Sequence, residues 1–330
     1  MNVLVTGGAG YIGSHAVKAL LAAGHTPVVV DNLYRGHRGA VGEGVRFEQI
    51  DLLDTDRLVE LMTETKTEAV MHFAALAYVG ESVDEPLKYY LNNTTGSLSL
   101  LSAMQQVGVK RLVFSSTCAT YGDVKTLPIV ETLPQDPINP YGRSKLFMEH
   151  LIRDHAATDP EFGYAMLRYF NVAGAHSDGT IGEDHTPESH LIPLVIEAAL
   201  GRRDALTIFG TDYDTPDGTC IRDYVHVEDL VDAHITVMAA LQAGDERVYN
   251  LGTGNGFSVK QIIDTAEEVL GKKVPVKYGD RRPGDPPNLY ADPTKIQTEL
   301  GWHAKHTDPK SMIESAAKWH EANPTGYGDN

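Results

Sequence analysis

Hydrophobic positions along the first half of the chain fall into two alternating kinds of segment. Short apolar runs at 2–5, 27–30, 46–52, 69–75, 111–117 and 164–172 have the length and β-branched content of strands. Between them, 11–23, 55–65, 84–107 and 141–157 repeat apolar residues every three or four positions, the period of a helix with one buried face. A parallel strand pair needs a crossover and a helix supplies it, so this alternation predicts an α/β protein built on a doubly wound parallel sheet. The longest helical pattern is punctuated: Asp84 suits its N-cap, Pro86 its first turn and Gly108 its stop. Past Asn171 the pattern loosens into a Gly- and His-containing segment, 174–189, where the chain is expected to leave the first domain. The segment 223–241, a strand followed by a helix, is expected to return to it. The expected division is 1–172, rejoined by 223–242, and a second domain within 173–330.

The first strand runs directly into Gly7-Gly-Ala-Gly10-Tyr11-Ile12-Gly13, a G-x-x-G-x-x-G turn at the head of a helix. Gly7 can adopt turn dihedrals closed to other residues, Gly10 lets the backbone approach a pyrophosphate, and Gly13 lets the helix pack closely on the strand. The second strand ends at Asp31, about 20 residues further on, where a carboxylate can bind the adenosine ribose hydroxyls. The same carboxylate would repel a 2′-phosphate. Strand, glycines and acid together predict a site for NAD, with Arg35 the residue that would have to accommodate NADP.

A second chemical pattern is Asn139-Pro-Tyr141-Gly-Arg-Ser-Lys145, which sets a phenol and an ammonium on one face at the start of a helix. A phenol used as a base at neutral pH needs its pKa lowered by roughly three units, about 4 kcal/mol of preferential phenolate stabilisation. Lys145 is expected to supply part of that. Ligands of open α/β sheets collect at the carboxyl ends of the strands, where Ser115 and Thr117 close the fifth run and Asp51 and Leu52 the third.

These motifs stand in order with His72-Phe-Ala-Ala75, Val79-Gly-Glu-Ser82, Phe114-Ser-Ser-Thr117, Leu167-Arg-Tyr-Phe-Asn171, Gly218-Thr-Cys-Ile-Arg-Asp-Tyr224 and Arg281-Arg-Pro-Gly-Asp285. In that order the chain resembles the extended short-chain dehydrogenase/reductase family over nearly its whole length, and within it the enzymes that epimerise UDP-hexoses at C4. The resemblance implies a Rossmann domain followed by a smaller α/β domain that holds the sugar nucleotide. It implies interconversion of UDP-glucose and UDP-galactose through a 4-keto intermediate, with Tyr141 as base, Lys145 on the nicotinamide ribose and Thr117 on the reacting sugar oxygen. For NAD it implies Gly7, Gly10, Tyr11, Ile12, Gly13, Asp31, Asn32, Asp51, Leu52, Phe73, Ala74, Ala75, Asn92, Ser115 and Tyr169 besides the Tyr–Lys pair. For the UDP-sugar it implies Asn171, Leu191, Thr207, Phe209, Arg222, Arg282, Asp285 and Leu289, the last at a position that limits the sugar pocket. It also implies a two-fold homodimer formed through the helices at 84–107 and 141–157, where Leu98, Leu101, Ala103 and Met104 exceed the needs of one core stripe.

The chain departs from the family at Ala77, where several relatives carry a Lys that reaches the pyrophosphate, at Thr117, usually Ser, and at His190, often Asn. Cys118 and Ala119 follow Thr117 where dehydratases of the same group place acids, which disfavours loss of water. Ser116-Thr-Cys-Ala-Thr-Tyr-Gly122 and Pro137-Ile-Asn-Pro140 also resemble UDP-arabinose 4-epimerases, a pentose-specific alternative with the same chemistry. A regulatory NAD sensor that had lost catalysis would be expected to lack the Tyr, Lys or hydroxyl, and all three are present.

Composition narrows the partners. A chain of 330 residues, 42% hydrophobic, can bury a large core, and a net charge of −17 opposes binding to nucleic acid or an anionic membrane. No apolar run reaches the roughly 18 residues of a membrane span, and the first strand begins at Asn2, so a cytoplasmic location is expected. Cys118 and Cys220 are too few for a disulfide framework and read as buried small residues. His176, Asp184, His185 and His190 share one loop, but their spacing matches no zinc pattern, so no metal is expected.

Overall fold

The computed structural model describes residues 1–282 and 286–328. Its first half is a strand–helix alternation: β1 (Asn2–Thr6), α1 (Tyr11–Ala22), β2 (Thr26–Asp31), β3 (Arg46–Gln49), α2 (Thr55–Glu64), β4 (Ala69–His72), α3 (Val79–Asp84), α4 (Pro86–Tyr89), α5 (Gly96–Val107), β5 (Arg111–Thr117), α6 (Pro140–Thr158) and β6 (Gly163–Tyr169). There follow β7 (Asn171–Ala173), α7 (Leu191–Ala199), β8 (Leu206–Phe209), β9 (Ile221–His226), α8 (Val227–Ala240), β10 (Glu246–Leu251), β11 (Gly256–Ser258), α9 (Val259–Leu270), β12 (Val276–Gly279), β13 (Asn288–Leu289), α10 (Thr294–Leu300) and α11 (Pro309–Ala322).

A 7-stranded sheet of order β10-β6-β5-β4-β1-β2-β3 carries the first half, and every pairing in it is parallel. Successive side chains of a strand point to opposite faces, and the core divides accordingly. Val3, Val5, Val29, Met71 and Val113 pack with α1 and α8 on one side. Leu4, Val28, Val30, Val70 and Phe114 pack with α2, α5 and α6 on the other. The chain order reverses between β1 and β4, the switch point where such sheets leave a crevice at their carboxyl ends. A 4-stranded sheet of β11, β9, β13 and β7 and a 2-stranded one of β12 and β8 make up the rest, over a core from α7, α9 and α11.

Several boundaries differ from the sequence pattern. The third and fourth strands stop at Gln49 and His72, so Leu52 and Phe73 lie beyond them. Apolar character continues because Leu52 packs under Gly96, and half-buried Phe73 and Ala74 both donate their amides to the Thr6 carbonyl. The 164–172 run breaks at Phe170 into β6, in the large sheet, and β7, paired with β9 in the smaller one. Asp84 ends α3 instead of capping the helix after it, and Pro86 does open α4. A π-helical turn, Tyr90–Thr95, then joins α4 to α5, and Gly108 ends α5 in a left-handed conformation, φ 82°. Of 223–241, the strand β9 stays in the smaller sheet; α8 packs on α1, and β10, beyond that stretch, is the seventh strand. Among the described residues no helix is long and apolar enough to cross a membrane.

Candidate active site

The glycine turn closes the switch point from below. A Cβ on Gly7, whose φ is 71°, would meet the Ala74 backbone nitrogen at 2.6 Å, and one on Gly13 would lie 2.0 Å from the Gly7 carbonyl. Only hydrogen fits at either place, so the loops after β1 and β4 and the head of α1 sit in contact. Gly10 is the N-cap of α1, with no side-chain cap and no acidic residue in the first turn. That helix end faces the crevice with a partial positive charge and uncapped amides, the environment a pyrophosphate requires.

At the end of β2 the Asp31 carboxylate is held by the amides of Ala9 and Leu33, at 3.1 and 2.9 Å. Burial raises its pKa while those two amides oppose the rise. Arg35 is turned away from it: one nitrogen lies 3.1 Å from Glu81, another donates to the Thr186 carbonyl, and its guanidinium covers the Tyr78 ring. A cation so engaged is not presented to a 2′-phosphate, and an NAD ribose fits this strand end. Next to it Asn32 donates to Asp51 at 2.9 Å, which fixes the far edge of the crevice.

The chemistry-bearing residues converge at the end of β5. Asn139 caps α6 by accepting the Gly142 amide at 2.8 Å, with Pro140 in the first turn, and this holds Tyr141 in the opening turn and Lys145 one turn on. Tyr141 is 9% exposed, Lys145 3% and Thr117 6%. Burial raises the Tyr141 pKa, Tyr169 adds to the rise, and a hydrogen bond with the Thr117 hydroxyl opposes it. Lys145 is pushed down to about 7 by burial, with Glu149 opposing. Its Nζ donates to the Ser115 carbonyl at 2.9 Å and lies 4.9 Å from the centre of the Phe114 ring. The expectation that Lys145 lowers the phenol pKa is therefore not what the pocket shows; desolvation dominates, and the opposing group is Thr117. Cys118, read from sequence as buried, is half-buried beside it, with burial pushing its thiol up to about 12, and Cys220 is buried.

Around this centre Phe73 stacks at 4.9 Å on His234, which bonds the Ser115 hydroxyl at 2.9 Å. Burial pushes the Tyr169 pKa up to about 12, with the Ser115 side chain opposing. Ala75 is half-buried, Asn92 donates to the neighbouring Asn93, Ile12 packs on the core, and the Tyr11 hydroxyl donates to Gly174.

The residues assigned to a sugar nucleotide come from the smaller sheets. Asn171 donates to the Asp223 carbonyl at 3.1 Å. Arg222 lies near Cys118, whose thiol it acts to lower, and pairs in register with Leu289 across β9 and β13. Leu289 and Cys118 both pack against the cluster of Tyr121, Ile129, Phe170 and Ala291. Arg282 stacks on Phe209 at 3.9 Å, joining two of the assigned residues. Thr207 is exposed on β8 and Leu191 begins α7. Asp285 lies outside the described residues.

Sequence reasoning missed Asn93. It is fully buried in the π-helical turn; its side-chain oxygen accepts the Leu76 amide at 2.8 Å, and its nitrogen donates to the Leu76 carbonyl and to Ser144. One amide thus ties the loop after β4 to the residue before Lys145. The only signal in the sequence was an Asn pair inside an apolar helix, where a polar side chain needs partners.

Glycine cradle, ribose-binding acid and buried Tyr–Lys–hydroxyl group define a dinucleotide-dependent enzyme of the short-chain dehydrogenase type. Residues 3–252 match the NAD dependent epimerase/dehydratase family. The chain is 52% identical to a UDP-glucose 4-epimerase of Lactobacillus helveticus, with 100% of both chains covered. It is 46% identical to a probable UDP-arabinose 4-epimerase 3 of Oryza sativa subsp. japonica, covering 100% of this chain and 84% of that one. A UDP-glucose 4-epimerase from Brucella ovis, solved in complex with NAD, superposes with a TM-score of 0.92 at 50% identity, over 96% of this chain and 97% of that one. The chain belongs to the NAD dependent epimerase/dehydratase family, and is an enzyme with NAD as its cofactor.

Proposed function

We propose that the chain interconverts UDP-glucose and UDP-galactose by inverting sugar C4. The observation that carries this reading is the buried set of Thr117 at the carboxyl end of β5, Tyr141 in the opening turn of α6 and Lys145 one helical turn on. When bound, NAD would supply the two-electron acceptor for C4 and, once reduced, the donor that returns those electrons. Tyr141 takes the proton of the sugar 4-hydroxyl and gives it back after the ketone has turned over, so no proton is gained or lost across the cycle. Thr117 holds the reacting oxygen. Its hydrogen bond favours the phenolate that burial alone opposes.

Lys145 holds the nicotinamide ribose and, through Ser115, fixes α6 against the sheet. Gly7, Gly10 and Gly13 admit the pyrophosphate, and Asp31 takes the adenosine ribose. Arg222 and Arg282 grip the UDP diphosphate as fork-shaped cations. Residues 1–172 with 223–242 form the NAD-binding part in this reading and the remainder of 173–330 the UDP-sugar part; the pairing of β10 with β6 supports extending the first part to Leu251. Half-buried Cys118 and Ala119 offer no acid or base for dehydration.

The enzyme works as a cytoplasmic homodimer in this reading. Val79, Val83, Leu87, Leu91, Leu98 and Phe147 are exposed on α3, α4, the π-helical turn, α5 and α6, a run of apolar surface that a second copy would cover. Of the four residues expected to exceed one core stripe, Leu98 is on that surface, whereas Leu101, Ala103 and Met104 are buried in the core.

Assay with UDP-galactose, and separately with UDP-xylose, tests the reading. Turnover confined to UDP-xylose would replace it with the pentose activity, and bound NAD without turnover of either would leave a sensor.

A further inference from the structure

Four ligand-type side chains converge on the segment between β7 and α7. Nδ1 of His190 lies 2.7 Å from a Glu183 carboxylate oxygen and 3.2 Å from one of Glu188; Nδ1 of His185 lies 3.1 Å and 3.8 Å from the same two carboxylates. All four donor atoms fall within 4.8 Å of one another. Glu183 is 4% exposed, and its Oε1, His185 Nδ1 and His190 Nδ1 are buried atoms without a hydrogen-bond partner among the described residues. An ion pair at 2.7 Å would point an N–H at the carboxylate. Here the close approach lacks that geometry, and two imidazoles and two carboxylates crowd one point with these donor atoms unsatisfied. Donors about 2.0–2.2 Å from a tetrahedral ion stand roughly 3.3–3.5 Å apart, close to these spacings.

We infer that Glu183, His185, Glu188 and His190 form a site for a divalent first-row metal ion, with Zn²⁺ the ion that two imidazoles and two carboxylates suit best. The sequence reading grouped the histidines with Asp184 and His176 and so found no metal spacing. Those two are engaged elsewhere: Asp184 accepts the Tyr327 amide and His176 lies 2.9 Å from Asp178. The glutamates complete the set. Glu188 is pre-aimed, because its Oε1 accepts the amides of Ser189 and His190. A second cluster, His226, Glu228 and His306, lacks this character, since both His226 ring nitrogens are hydrogen-bonded, to Ser315 and to the Glu228 amide.

The ion's role is structural. His190 is the N-cap of α7, and His185 meets Tyr11 and Tyr78 edge-on at 6.3 and 5.9 Å. A bound ion therefore fixes the segment that joins the glycine cradle to α7.

The test uses the full chain stripped with a chelator, desalted and offered Zn²⁺ alone. Wild type should retain about one zinc ion per chain, and its thermal midpoint should rise with zinc concentration. The double variant His185→Ala/Glu188→Gln should hold at least tenfold less, whereas His306→Ala should hold as much as wild type. Co²⁺ in the wild type, which needs no variant to fold, should give a tetrahedral ligand-field spectrum. No retained zinc in wild type, equal zinc in the double variant, or an octahedral Co²⁺ spectrum would each overturn the inference.

Discussion

Lys145 Nζ donates to the main-chain carbonyl of Ser115 at 2.9 Å, in a pocket where the amine is 3% exposed. A single hydrogen bond thus couples the opening turns of α6 to the end of β5, and so sets Tyr141 over Thr117. It also leaves a buried amine whose pKa burial pulls from 10.5 to about 7.

That displacement gives a stability slope. A depressed amine pKa means that the unfolded chain binds more protons than the folded one between about pH 7 and 10.5, so this group's penalty is largest below pH 7 and fades as pH rises through that window. Denaturant melts of wild type and Lys145→Met from pH 7 to 10 should show the wild type gaining a few kcal/mol relative to the variant. Parallel curves would mean that the amine is solvated.

Asn93→Ala should be more costly than a helix-surface change, since it strands both the amide and the carbonyl of Leu76 in a buried site. A loss of about 2 kcal/mol is expected, read as a lower midpoint in thermal melts, together with weaker NAD binding as the loop after β4 loosens. A melt indistinguishable from wild type would show that water replaces the amide.

Leu289 pairs in register with Arg222 and packs on the cluster that Cys118, next to Thr117, also packs on. A leucine can change rotamer for about 1 kcal/mol where a tyrosine ring cannot leave, so an acetamido group at sugar C2 should be tolerated in part. UDP-N-acetylglucosamine should turn over more slowly than UDP-glucose, and Leu289→Tyr should abolish that activity while sparing UDP-galactose. Equal effects on both substrates would remove residue 289 from the pocket.

Leu87 is 80% exposed and Leu91 55%. Light scattering should find a dimer, and Leu87→Glu/Leu91→Glu should shift it to monomer, because each buried leucine is worth roughly 1.5–3 kcal/mol to an interface. A wild-type monomer at micromolar concentration would contradict the assembly.

The catalytic end of the site was legible because its motifs are local. A glycine turn after a strand and a Tyr four residues before a Lys report their own geometry through turn dihedrals and helix period. What failed was of longer range or unmarked by hydropathy. The π-helical turn at 90–95 keeps an apolar pattern, so it went unmarked, Asn93 looked ordinary, and the surplus of apolar residues on α5 did not separate exposed Leu98 from buried Leu101 and Met104. The pattern ran on past Gln49 and His72 because Leu52, Phe73 and Ala74 keep apolar side chains packed against the sheet's end after the ladder has stopped. The partners of His185 and His190 were missed because nothing in the local sequence marks Glu183 and Glu188 as acids whose side chains are buried.

Tyr141→Phe removes the one oxygen placed to move the sugar proton. Turnover of UDP-galactose should fall by about 10²- to 10⁴-fold with fold and bound NAD intact, as circular dichroism and cofactor release on denaturation would show. Near-normal turnover would assign the base elsewhere.

The central claim, that C4 is inverted by removing and returning the same hydrogen, is tested most directly with UDP-galactose deuterated at sugar C4, in ordinary water. The UDP-glucose formed should keep its deuterium at C4 almost completely, because the hydrogen leaves and returns without meeting solvent while Tyr141 handles only the hydroxyl proton. Deuterium lost to water at the rate of epimerisation would show that C4 gives up a proton, and would contradict the account.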